Sequence, residues 1–109
     1  MNLEAAHEAY IQLQQQVERA EKLKQPIDSY VRQQIKLLEE THDEFVSSAL
    51  SNNKNIENSI SFAEVRIKQL QAIASLCKKI GLPTEKYDKQ IREIRIKHLG
   101  VDIVKEYYK

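Results

Sequence analysis

Between Asn55 and Pro83 runs an apolar stripe that leaves this chain little choice of fold. Ile56, Ile60, Ala63, Ile67, Leu70, Ala74 and Cys77 recur at alternating steps of four and three, the spacing that sets side chains along one face of an α-helix. Phe62, Val65, Ile73, Leu76 and Ile80 broaden the stripe beyond the seam of a two-stranded coiled coil. Such a helix needs at least two helical neighbours, so it is expected to be the centre of a bundle. Its ends carry signals as well. Asn55 suits an N-cap, and Gly81, between Ile80 and Leu82 and ahead of Pro83, suits a left-handed C-cap with its hydrophobic contact.

The same rhythm recurs on both sides. Leu3, Ala6, Tyr10, Leu13, Val17 and Ala20 mark a first helix over about 3–24, capped by Asn2, with Glu4 in the first turn where the helix dipole favours a carboxylate. Gln12 and Gln14 to Gln16 read as its solvated side. Pro26 stops that helix and suits the start of a second over about 27–50, with a seam of Val31, Ile35, Leu38, His42, Phe45 and Ala49. Lys24-Gln25-Pro26 holds no glycine, so a hairpin is expected here with a kinked, nearly continuous rod as its alternative.

After the polar segment Ser51 to Asn55, the third helix covers about 56–80. A fourth, capped by Thr84, covers about 85–99 with a seam of Tyr87, Ile91, Ile94 and His98. Gly100 repeats the Gly81 stop, and Asp102 can cap a short C-terminal helix over about 103–108. The expectation is a single all-α domain, 1–109: an antiparallel four-helix bundle with a short terminal helix.

Composition agrees. Charged residues make up 30% of the 109, with two glycines, two prolines and no tryptophan, a balance that favours long helices. Cys77 is the only cysteine, so no disulfide can form within the chain, and its place on the seam reads as a small buried hydrophobe in a reducing compartment. No basic segment leads into an apolar run, and nowhere do about eighteen apolar residues follow one another. A cytoplasmic protein with no membrane partner is expected. The net charge of +1 conceals a division: residues 1–64 hold six Lys/Arg against eleven Asp/Glu, giving −5, and residues 65–109 hold eleven against five, giving +6. Opposed halves fit a self-complementary bundle, or a polarised surface that meets a charged partner or stacks head to tail.

Three sets of residues could carry function. Glu-x-x-His occurs as Glu4 with His7 and as Glu39 with His42. Counting heights through the turns sets Glu64 and His98 beside them. The pattern resembles the ferritin-like ligand motif, in which two such pairs and two further glutamates hold a di-metal centre; it departs from that family in which helices carry it, and Arg95 stands three before His98. The second set is basic: Lys78, Lys79, Lys86, Lys89, Arg92, Arg95 and Lys97, a clustering that phosphate binding needs. Glu85, Asp88 and Glu93 interrupt it, and no aromatic alternates with it for base stacking. The third is apolar: Ile96, Val101, Ile103, Val104, Tyr107 and Tyr108, left over when the four seams pair.

No serine or cysteine stands beside a histidine near a glycine-rich strand-to-helix turn, so neither a nucleophilic triad nor a phosphate loop is indicated. The sequence therefore points first to a non-catalytic protein–protein interaction module without cofactor or small-molecule substrate, homodimeric, a small adaptor, regulator or inhibitor. Nucleic-acid binding through the basic half and a di-metal bundle are the alternatives.

Overall fold

A computed structural model describes residues 3–99, which form an antiparallel four-helix bundle. The helices are α1 (Leu3–Lys22), α2 (Asp28–Asn52), α3 (Ile60–Lys79) and α4 (Glu85–Leu99), with a 3₁₀ turn at Lys54–Asn58 between α2 and α3. No strand occurs among the described residues. The cap expected at Asn2 and the terminal helix expected over 103–108 lie outside them.

The connection without a glycine is a hairpin, and its backbone explains how. Lys24 takes a left-handed φ of 55°. From there Gln25 N–H reaches back to the Ala20 carbonyl at 2.8 Å and Lys24 N–H to the Glu21 carbonyl at 3.1 Å, the paired bonds of a Schellman cap. The later turn repeats the device with a glycine. Gly81 has φ 74°, Leu82 N–H meets the Cys77 carbonyl at 2.8 Å, and Gly81 N–H meets the Lys78 carbonyl at 3.2 Å. Two turns of the same hydrogen-bond pattern thus reverse the chain, one of them with a lysine in a conformation that glycine adopts more readily.

α3 begins four residues later than the periodicity predicts. Asn53 accepts a hydrogen bond from Asn55 N–H at 3.0 Å, which closes the 3₁₀ turn around Ile56, and the Ser59 hydroxyl, not Asn55, caps α3 by accepting from Phe62 N–H at 3.4 Å. Asparagine and serine side chains that bond their local backbone compete with the helix, and here they win. Ile60 consequently sits in the first turn and is 57% exposed instead of joining the seam.

Helix packing follows chain order: α1 on α2, α2 on α3, α3 on α4. The result is a slab of 47 × 37 × 16 Å. One continuous core threads it, from Val17 on α1 and Val31 on α2 through Leu70 and Ile73 on α3 to Ile91 and Ile94 on α4. α3 supplies six buried residues, as its broad stripe requires. The seam of α2 is polar in two places. Gln34 is fully buried, and its amide donates to Gln14 Oε1 at 2.9 Å; Gln14 therefore belongs to the α1–α2 interface and not to the solvated side. His42 is 7% exposed. Further along, Tyr87 on α4 donates its hydroxyl to Glu39 on α2, and Lys79 pairs with Glu21 at 3.1 Å.

Candidate functional site

The six residues of the expected metal layer do not come together. Glu4, His7 and Glu64 are exposed, His98 is half-buried near the end of α4, and Glu39 is engaged by Tyr87. His42 Nδ1 lies 3.7 Å from the carboxylate of its neighbour Asp43. Among the described residues no group of three or more His, Cys, Asp or Glu side chains is placed to hold a metal. Chain-ordered packing explains the outcome: α1 lies on α2, α4 lies on α3, and equal height along a bundle does not bring α1 to α4.

His42 is instead a buried polar side chain on α2. Burial pushes its pKa below 6.5, the nearby Arg66 guanidinium pushes the same way, and Asp43 opposes both. Arg66 also lies over the Phe62 ring, 5.8 Å from its centre, and Phe62 packs on Phe45 with ring centres 5.4 Å apart. His42 Nε2, Arg66 Nε and Gln69 Oε1 are buried without a hydrogen-bond partner in the described chain. Burial, with Glu39 second, raises the pKa of the Cys77 thiol. That disfavours the thiolate and fits the structural role expected for it.

The seven basic residues divide into two groups. Lys79 is committed to Glu21, Lys97 donates to Glu57 at 2.9 Å, and the Lys86 ammonium lies 5.5 Å from the Tyr87 ring centre. The Lys97 hydrogen bond also holds the exposed Glu57 carboxyl below its usual pKa. Lys78, Lys89, Arg92 and Arg95 instead line one open cleft of about 840 Å³ between α3 and α4, together with Glu85 and Asp88. Helical spacing produces it, because Gln71, Ala74, Ser75 and Lys78 share a face of α3, and Glu85, Asp88, Arg92 and Arg95 share a face of α4. Seen along the chain, the cations look uniform; the fold alone shows which of them gather in one cleft.

Of the apolar set, Ile96 is 37% exposed, and Val101, Ile103, Val104, Tyr107 and Tyr108 lie outside the described residues. The structure adds an apolar feature that the periodicity did not single out. A cleft of about 480 Å³ runs along the C-terminal turns of α2, with Phe45 and Ala49 as its apolar part and Thr41, Glu44, Ser48, Asn52 and Gln69 around it. The signal for it was the half-polar seam of α2, where Thr41, Ser48 and Asn52 interrupt the apolar positions. Among the described residues no helix is long and apolar enough to cross a membrane. Comparison with protein-family models, curated proteins and solved structures returns no significant match.

Proposed function

We propose that this chain is a non-catalytic protein–protein interaction module, a small adaptor, regulator or inhibitor that works in the cytoplasm and self-associates as a homodimer. The observation that carries the reading is the cleft along α2. Phe45 and Ala49 offer apolar surface in a concavity whose rim is built from hydroxyl, amide and carboxylate groups, the arrangement that takes the apolar stripe of another helix. Ile60 on α3 and Ile96 on α4 add large exposed apolar side chains. A single exposed isoleucine is ordinary on any surface, so the weight rests on the concavity.

Light scattering on the purified chain across a wide concentration range tests the reading. The expected mass is twice that of the 12.7 kDa chain. Ala49→Arg, which places a long cation in the cleft, and Ile96→Glu are expected to shift the population toward monomer with helicity unchanged. A strictly monomeric protein at the highest concentration overturns self-association.

A further inference from the structure

The α3–α4 cleft is built for charge and yet is a poor seat for nucleic acid. Lys78, Lys89, Arg92 and Arg95 line it, but Glu85 and Asp88 stand in the same wall, where they repel a run of phosphates. No aromatic side chain lines it for base stacking. A mixed wall of four cations and two carboxylates is matched by a ligand that is acidic overall and carries a cation of its own.

The chain itself supplies such a surface. On α2, Lys36, Glu40, Asp43 and Glu44 fall at steps of four, three and one, which sets them along one stripe of the helix. Lys36, Glu40 and Asp43 are exposed, and the Asp43 side chain is 85% exposed, so the stripe does not fill the cleft of its own copy. Lengths agree as well. From Lys36 to Glu44 the helix rises roughly 12 Å, while Gln71–Lys78 and Glu85–Arg95 span roughly 10 and 15 Å at about 1.5 Å per residue.

We infer that the α3–α4 cleft is a docking site for the Lys36–Glu44 stripe of α2 from a second copy of this chain. Lys78 and Lys89 meet Glu40 and Asp43, and Lys36 meets the carboxylates of Glu85 and Asp88. The inference rests on the interaction reading above and assigns it a second, polar contact. It also gives the division of charge between the two halves of the sequence a purpose, since each copy carries both members of a complementary pair.

Sedimentation velocity of the full-length chain and two charge-reversed variants tests it. Lys78→Glu with Lys89→Glu reverses the cleft without touching Arg92 or Arg95; Glu40→Lys with Asp43→Lys reverses the stripe. At about 0.05 M salt, where screening is weak, each variant alone is expected to self-associate about tenfold or more weakly than wild type, with its helical circular dichroism retained. An equimolar mixture of the two is expected to associate again, because the acidic cleft of one chain then meets the basic stripe of the other. Wild-type association is expected to weaken at about 0.5 M salt.

Variants that associate as tightly as wild type would remove the cleft from the interface and leave the α2–α3 cleft, probed by Ala49→Arg, as the contact. Failure of the mixture to associate, with both chains folded, also overturns the inference. A wild type that stays monomeric at low salt takes the self-association reading down with it. Binding of a mixed-sequence DNA duplex at low salt, lost on reversing Lys78 and Lys89, overturns the inference in favour of a phosphate ligand.

Discussion

Tyr87 of α4 donates its phenolic hydroxyl to the Glu39 carboxylate of α2, joining residues 48 positions apart and tying the last described helix to the second. α4 packs chiefly on α3, so this bond fixes where along the slab its N-terminal half sits. Burial and the Glu39 carboxylate both raise the pKa of the Tyr87 hydroxyl far above its usual value of 10.0.

Tyr87→Phe is expected to lower stability by about 1–2 kcal/mol in urea unfolding, because Glu39 is half-buried and loses its donor. The alkaline limb of the stability profile should change with it. A folded pKa above the unfolded one contributes stability that is complete below about pH 10 and declines as pH rises beyond it. Wild type should therefore lose stability above pH 10, and the variant should lose less over that interval.

His42 sets the acid limb. Its folded pKa is depressed by burial and by Arg66, so below 6.5 the unfolded chain takes up a proton that the folded chain refuses. Stability should fall as pH drops from 6.5 toward the folded pKa and hold above 6.5. Chemical denaturation between pH 5 and 7, read as about one physiological titration window, compares wild type with His42→Leu. The leucine chain should be flatter across it, and an identical slope in the two would remove His42 as the source.

Gln14 and Gln34 predict an asymmetry. Gln34 is fully buried and has one amide contact, to Gln14, with its own Oε1 unpartnered in the described chain. Gln14→Ala strands that buried amide and should cost about 1–3 kcal/mol. Gln34→Leu removes the buried group and leaves Gln14, which is half-exposed, to find water; its cost should be under about 1 kcal/mol. Equal losses in thermal melts of the two chains would contradict the assignment of Gln34 as the stranded partner.

The paired turns offer substitutions of opposite sign. Lys24 is left-handed without being glycine, so Lys24→Gly should stabilise by up to about 1 kcal/mol. Gly81 has φ 74°, and a methyl group there meets nothing within 4 Å. Gly81→Ala should therefore destabilise by about 1 kcal/mol from backbone strain alone, without a steric clash. Both follow from urea midpoints.

How much of this was legible in the residues depends on the range of the forces involved. Helical periodicity and the glycine stop at Gly81 are local, and they located all four helices and the burial of Cys77, Tyr87, Ile91 and Ile94, while Val65, expected to broaden the α3 stripe, is 40% exposed. The α1–α2 turn was ambiguous because a left-handed Lys24 leaves no compositional mark. The start of α3 was misread because Asn53 and Ser59 both compete for nearby amide groups, and only the folded backbone shows which bonds form.

What the sequence determined alone was the set of helices and the stripes they bury, since turn geometry and apolar spacing act within a few residues. The tertiary structure decided which polar groups meet. It brought Glu39 to Tyr87, placed Gln14 against Gln34, and gathered four of the seven cations along one cleft. Such pairings depend on which face of one helix turns toward another, and a side chain's rotation about its helix becomes meaningful only once a neighbour stands beside it.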